Sequence, residues 1–336
     1  MTKVDTQTSS ITELVDAINF KGRSLLSIND LSNDQLYKLF ELGKLMEPWN
    51  RSVINLVPGQ LMALLFFQPS TRTRMSFETA MLRLGGLAIT ETTPLISSSA
   101  AKEESLEDML KVVSKYANLL VIRHYNDQDA LRAVKYADVP VINGGFGHWE
   151  HPTQALLDLY TLWSTYNRIE GLRVCVASPD LIEARTGHSM ACGLARLGAK
   201  VTLASPSSRR IPEAVRKEIK QFGVTYEEAL DLNQDGFNDL VSGMDMIYLP
   251  GCSATKGVES EAFKKSMDDY LVRFETLDHV RRSQGRIIYI THTLPRRAGE
   301  MDLRIDSTPN QLYFEAITHS ISIRMALIAS ILGIKK

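Results

Sequence analysis

Phe66-Phe67-Gln68-Pro69-Ser70-Thr71-Arg72-Thr73-Arg74-Met75-Ser76-Phe77-Glu78 joins an apolar run to a helical pattern through hydroxyls and arginines. Upstream, Leu61 to Phe67 is too uniformly apolar for a half-exposed strand and too short for a typical helix, so it reads as a strand buried on both faces. Downstream, Met75, Phe77, Ala80, Met81 and Leu84 recur at helical spacing until Gly85-Gly86 ends the pattern. The first N–H groups of such a helix lack intrahelical partners and carry the positive end of its dipole, which favours an anion. Three hydroxyls and a guanidinium fork at the same turn add donors, so the junction reads as a phosphate cradle. The plain alternative is an ordinary N-cap followed by surface arginines.

Outward from this junction, strand and helix patterns alternate. After a polar start expected to fray, Asn29 to Trp49 carries a helix with Leu31, Leu36, Leu39, Phe40, Leu42 and Leu45 on its apolar side. Strands are expected at Leu61 to Phe67, Leu119 to Arg123 and Val139 to Ile142, with helices at Arg74 to Leu84, Ser105 to Tyr116 and Asp129 to Tyr136. Ser105 followed by Asp108 resembles a capping box with Asp in place of Glu. A second series opens with the helix after His151. It has strands at Leu172 to Ala177, Lys200 to Ala204, Met244 to Leu249 and Ile287 to Ile290, and helices near His188 to Leu197, Pro212 to Phe222 and Glu259 to Lys265. Alternation twice over predicts two doubly wound α/β domains with mostly parallel sheets. Tyr313 to Leu332 is a closing helix, and the break between the series is expected near Gly144 to Glu150, where glycines and aromatics interrupt both periodicities.

Composition agrees with two domains. A chain of 336 residues exceeds what one core usually serves, and 44% hydrophobic content is ample for two. No apolar run approaches the roughly 20 residues of a membrane span, so a soluble chain without a membrane partner is expected. With 38 basic against 39 acidic residues, nothing in the charge balance calls for nucleic acid. Cys175, Cys192 and Cys252 are odd in number and too widely spaced for a metal knuckle, and Met1 to Ser10 has no signal-peptide core, which points to a reducing cytoplasm. No G-x-G-x-x-G follows the first strand of either series and no P-loop lysine motif occurs, against a nucleotide-binding reading.

Open parallel sheets bind ligands outside the carboxyl ends of their strands, and the chemically capable residues sit at those ends. Arg123-His124 ends one strand, His151-Pro152-Thr153-Gln154 opens the helix after the break, Arg185-Thr186-Gly187-His188 follows another strand, and His292-Thr293-Leu294-Pro295-Arg296-Arg297 ends a fourth. Each has a structural alternative: a surface arginine for Arg123, a helix-start hydrogen bond for His151, a solvated helix-start arginine for Arg185, and a structural histidine at 292. Their joint placement is more informative than any one.

Together these segments resemble the aspartate/ornithine carbamoyltransferase family, the aspartate branch more closely. The resemblance runs nearly end to end, through FFQPSTRTRMSFE, KEESLEDM at 102–109, VIRH at 121–124, VPVIN at 139–143, HPTQALLDLYTL at 151–162, RTGHS at 185–189, HTLPR at 292–296 and the C-terminal YFEAITHSISIRMALIASILG. It implies a first domain of residues 1–150, joined by the C-terminal helix 314–336 packing back on it, that binds carbamoyl phosphate. Residues 151–313 are then the acceptor domain. No metal, cofactor or covalent nucleophile is implied: a neutral amine attacks the carbamoyl carbon while phosphate leaves. Ser70, Thr71, Arg72, Thr73 and Arg123 would hold the phosphate, and Thr73, Arg123 and His151 would stabilise the oxyanion. Gln154 and the backbone carbonyls of Leu294 and Pro295 would accept from the carbamoyl NH₂. Losing one such group typically removes about 100-fold to 1000-fold in turnover.

The resemblance further implies that Lys102, with Ser98 or Ser97, reaches the site of a neighbouring subunit, in a homotrimer or a multiple of trimers. Glu103 stands where the family has glycine. The acceptor pocket departs most. Aspartate carbamoyltransferases follow the corresponding strand with threonine-arginine-x-glutamine, which holds the side-chain carboxylate; here Gly251 and Ser253 replace arginine and glutamine. A buried β-carboxylate without that arginine would lose about 3–5 kcal/mol. Lys256, Arg296 or Arg297 could substitute from another direction. Arg185, the partner for an α-carboxylate, is retained, with Lys102 and Leu294 beside it. HTLP in place of HCLP argues against ornithine. The expected activity is transfer of the carbamoyl group to the amine of a small acceptor carrying a carboxylate, aspartate being the family default and Gly251 with Ser253 suggesting another. A catalytically inactive paralogue that binds carbamoyl phosphate or regulates a partner is the competing reading, opposed by the complete set of donors.

Overall fold

The computed structural model describes residues 3–92, 94, 104–224, 226–251 and 261–334, and side chains within these except at 3–9 and 262. The chain forms two compact units, residues 1–160 with 318–336, and residues 161–317. The break expected before His151 lies further along the chain, because unit 1 runs on through Tyr160.

In unit 1 the strands β1 (Leu61–Phe66), β2 (Leu87–Glu91), β3 (Leu119–His124) and β4 (Val141–Phe146) form an all-parallel sheet in the order β2-β1-β3-β4. Met62 to Phe66 are buried, as a strand covered on both faces requires. β2 is an exposed edge strand whose pattern sequence reading passes over. The helices are α1 (Lys3–Ile18), α2 (Asn33–Met46), α3 (Thr71–Arg83), α4 (Leu106–Val113), α5 (Asp127–Ala133) and α6 (Pro152–Tyr166), the last running past the unit's end. The start expected to fray is therefore helical from Lys3, with Ile11, Val15 and Ile18 buried on one face. α4 has the anticipated cap, the Ser105 side chain accepting from Asp108 N.

Two further expectations need correction. Met75 does not share the buried face of α3: Phe77, Ala80, Met81 and Leu84 do, at i, i+3, i+4 and i+7, while Met75 is exposed. Gly144 and Gly145 do not break the chain but belong to β4. There the β3–β4 register jumps between Ile122/Asn143 and His124/Phe146, so two glycines oppose Arg123 alone in a β-bulge. Gly145 has φ +119°, and a Cβ on Gly144 would sit 3.0 Å from Ile122 O.

In unit 2 the strands β5 (Arg173–Ala177), β6 (Lys200–Ser205), β7 (Tyr226–Leu230), β8 (Met246–Leu249) and β9 (Tyr289–His292) form a second parallel sheet in the order β7-β6-β5-β8-β9. Its helices are α7 (Arg185–Arg196), α8 (Glu213–Gln221), α9 (Gln234–Ser242), α10 (Glu261–Asp269) and α11 (Phe274–Gln284). Cys175, Phe237, Ile247, Leu277, Val280 and Ile290 lie in its core. α9, α11 and β7 go beyond the elements expected from sequence.

The closing helix α12 (Tyr313–Leu332) is long and apolar enough to cross a membrane by length and composition, contrary to the expectation that no run approaches that length, but 72% of its apolar 18-residue stretch is buried within the protein. Its later turns pack on unit 1: Arg324 lies 5.0 Å from the Phe77 ring centroid, and Gly22 N donates to Ile331 O at 2.9 Å.

Candidate active site

In unit 1, parallel pairing places the carboxyl ends of β1, β3 and β4 side by side, and the Phe66–Arg123 register continues as Phe67 N donating to Arg123 O at 2.8 Å. α3 starts at Thr71, with Ser70 as an extended N-cap whose side chain makes no capping bond. The Ser70 hydroxyl thus leaves the helix's first N–H groups to an incoming anion. Arg72 is exposed, yet the protein around it lowers its pKa by desolvation, which makes an anion a favourable neighbour. Arg74 is committed elsewhere, bonding both Glu78 carboxylate oxygens at 3.0 and 3.1 Å.

Arg123, re-aimed by the bulge, donates from Nη1 to Gly144 O at 3.2 Å. His151, buried before α6, places Nε2 3.5 Å from Thr73 Oγ1 and Nδ1 3.3 Å from Thr153 Oγ1. One turn into α6, half-buried Gln154 donates to Asp158. The structure therefore gathers Ser70 to Thr73, Arg123, His151 and Gln154 around the ends of three neighbouring strands. Hydroxyls, guanidinium groups and an imidazole there can grip a phosphate and polarise an adjacent carbonyl. His124 is engaged with aromatic neighbours instead. Its ring is stacked on Tyr125 and edge-on to Phe67, and burial lowers its pKa.

In unit 2, Arg185 opens α7, where burial pushes its guanidinium down to about 10, so a carboxylate would offset much of its lost hydration. Thr186 Oγ1 and Thr293 Oγ1 both donate to Pro250 O, at 3.3 and 2.7 Å, tying the starts of α7 and of the loop after β9 to the end of β8. Gly251 follows with φ +76°. A Cβ there would point at His292 Cε1 and Thr293 Oγ1, each 3.6 Å away, and at Glu300 Oε1, 3.8 Å away. His292 Nδ1 accepts from Leu294 N at 2.8 Å, so Nε2 carries the proton and donates to Glu300 Oε2 at 2.9 Å. Glu300 Oε2 also accepts from Arg297 N at 2.7 Å. Leu294 is held in the left-handed region at φ +51° and precedes a cis Pro295.

Arg296 is paired with Asp306 and lies over Tyr313, which removes it as a stand-in for the absent arginine. Ser97, Ser98, Lys102, Glu103, Cys252, Ser253 and Lys256 lie outside the described residues. Cys175 and Cys192 are buried free thiols, Cys175 pushed up to about 12 by desolvation. Among the described residues no group of three or more His, Cys, Asp or Glu is placed to hold a metal ion. Sequence reading misses Asp158 and Glu300. Asp158 is within its reach, four residues after Gln154 on one helix face; Glu300 is not, because only the turn after β9 brings it back to His292.

Comparison with known proteins agrees with this geometry. Residues 23–164 match the aspartate/ornithine carbamoyltransferase carbamoyl-P binding domain, and residues 170–331 the Asp/Orn binding domain. The chain is 64% identical over 325 residues to the ureidoglycine carbamoyltransferase of Rubrobacter xylanophilus, covering 96% of each chain. It is 35% identical to the aspartate carbamoyltransferase catalytic subunit of Methanosarcina barkeri, over 94% of this chain and 99% of that one. Its fold matches aspartate transcarbamoylase of Trypanosoma cruzi in complex with carbamoyl phosphate and aspartate, with a TM-score of 0.82, 29% identity and coverage of 94% and 96%. With both domains matched in order and a strand-end donor cluster in the first, the chain belongs to the aspartate/ornithine carbamoyltransferase family and is a carbamoyltransferase.

Proposed function

We propose that the protein transfers the carbamoyl group of carbamoyl phosphate to the α-amine of ureidoglycine, giving a carboxylate that bears two ureido groups. The observation that carries this reading is Gly251, turned toward His292, Thr293 and Glu300 where aspartate-specific relatives have an arginine. Ureidoglycine keeps the α-amine and α-carboxylate of an amino acid but ends in a neutral ureido group. Such a group needs hydrogen-bond partners, not a cation, and the buried carboxylate of Glu300 would repel the second carboxylate of aspartate. The 64% identity to a ureidoglycine carbamoyltransferase points the same way.

Ser70, Thr71, Arg72, Thr73 and Arg123 hold the phosphate, whose charge grows as the C–O bond breaks. Thr73, Arg123 and His151 donate to the carbonyl oxygen as the amine nitrogen bonds to carbon; the amine proton leaves with phosphate. Gln154 and the carbonyls of Leu294 and Pro295 accept from the carbamoyl NH₂. Arg185 and the Leu294 turn receive the acceptor, its α-carboxylate on the guanidinium. Holding two small reactants together supplies much of the remaining acceleration. The working form is a cytoplasmic homotrimer or a multiple of trimers in which Ser98 and Lys102 complete a neighbour's site; the exposed apolar Leu87 and Ile89 of edge strand β2 favour an association.

The test is phosphate release from carbamoyl phosphate with freshly prepared ureidoglycine, aspartate or ornithine. Ureidoglycine should give the highest kcat/KM; a higher value with aspartate would remove the argument from Gly251.

A further inference from the structure

Gln154 and Asp158 face each other across one turn of α6, and Gln154 Nε2 donates to both Asp158 carboxylate oxygens, at 3.1 and 3.0 Å. An ionised carboxylate can only accept hydrogen bonds. The pair therefore decides the sense of the amide: Nε2 is drawn to Asp158, which leaves Oε1 to accept from another donor. Asp158 is 1% exposed, and Arg324 of α12 supplies a positive charge to it. Arg324 is 3% exposed, donates from Nη1 to Ser320 O at 3.1 Å and is braced over the Phe77 ring of α3.

We propose that Asp158, accepting from Gln154 with both carboxylate oxygens, is a positioning residue that locks Gln154 with its carbonyl oxygen toward the carbamoyl NH₂, so that this part of the site demands a hydrogen-bond donor. The inference rests on the reading of Gln154 as the carbamoyl acceptor. Its chemical consequence is selectivity. Acetyl phosphate has the shape and charge of carbamoyl phosphate but presents a methyl group where the NH₂ would donate, and a fixed acceptor penalises it. With the lock removed, the amide can turn over and present Nε2, setting donor against donor.

The decisive quantity is the ratio of Kd values for acetyl phosphate and carbamoyl phosphate, measured by titration of the full-length protein. Asn at 158 can donate to Gln154 Oε1, so Asp158→Asn should weaken carbamoyl phosphate about tenfold while leaving acetyl phosphate within about twofold, the loss of one well-made hydrogen bond. Gln154→Ala should narrow the ratio similarly, and adding Asp158→Asn to it should change little further. Should Asp158→Asn fold poorly beside an uncompensated Arg324, Asp158→Asn with Arg324→Met removes both charges and must narrow the ratio equally. Equal weakening of both ligands, or an unchanged ratio in the Asp158 variants while Gln154→Ala loses it, would overturn the positioning role. An unchanged ratio in Gln154→Ala would instead remove the carbamoyl reading of Gln154, and the proposal with it.

Discussion

Gly251 adopts φ +76°, a conformation that costs an L-residue about 1–2 kcal/mol. Restoring the missing arginine is therefore more than a change of side chain. Gly251→Arg should lower the melting temperature and still leave aspartate a poorer acceptor than ureidoglycine by more than about tenfold, because the guanidinium would start from a strained backbone beside Glu300. Comparable kcat/KM values for the two acceptors in this variant would contradict that view. His124 offers a pH test. Burial depresses its folded-state pKa below the ordinary 6.5, so between the two values the unfolded chain binds more protons. Its contribution to stability is then complete above pH 6.5 and lost as pH falls through that window toward the folded value. His124→Asn should flatten the decline in melting temperature as pH falls below about 6.5; an unchanged slope would assign the decline to other groups. Single residues are readable in sequence where a motif frames them, as for Ser70 to Thr73 and His151. Glu300 is opaque, since its meaning comes from contact with His292 and not from its neighbours in the chain.

Among the elements, the β3–β4 bulge has the closest link to chemistry. Gly144 and Gly145 let β4 carry two residues past Arg123, and the arginine is steadied by Gly144 O. Gly144→Ala would press a Cβ to 3.0 Å from the backbone oxygen of Ile122, which cannot swing aside as a side chain could. The expected result is a carbamoyl phosphate Kd raised about tenfold, from one displaced charged hydrogen bond, with the acceptor KM nearly unchanged. Unaltered phosphate affinity would show that Arg123 does not depend on the bulge. Buried strands such as β1 announce themselves by unbroken apolar runs. Edge strands β2 and β7, half-exposed and short, carry no such signal, and α1 hides its buried Ile11, Val15 and Ile18 behind a polar beginning. The bulge reads as a domain break in sequence because paired glycines carry the same local signature in either role.

For the whole molecule, two parallel-sheet units follow from strand and helix alternating twice, while a site shared between subunits would leave no periodic trace. If Lys102 completes a neighbour's site, Lys102→Ala and His151→Ala should each be nearly inactive alone, yet regain activity when dissociated together and reassembled, since some sites then receive both intact residues. No recovery in mixed assemblies would place Lys102 and His151 in one chain's site. Acceptor choice is the central claim, and it can be read from product identity. With ¹³C-labelled carbamoyl phosphate and equal concentrations of ureidoglycine and aspartate, the label should appear predominantly in the bis-ureido carboxylate; predominant labelling of carbamoyl aspartate would contradict it.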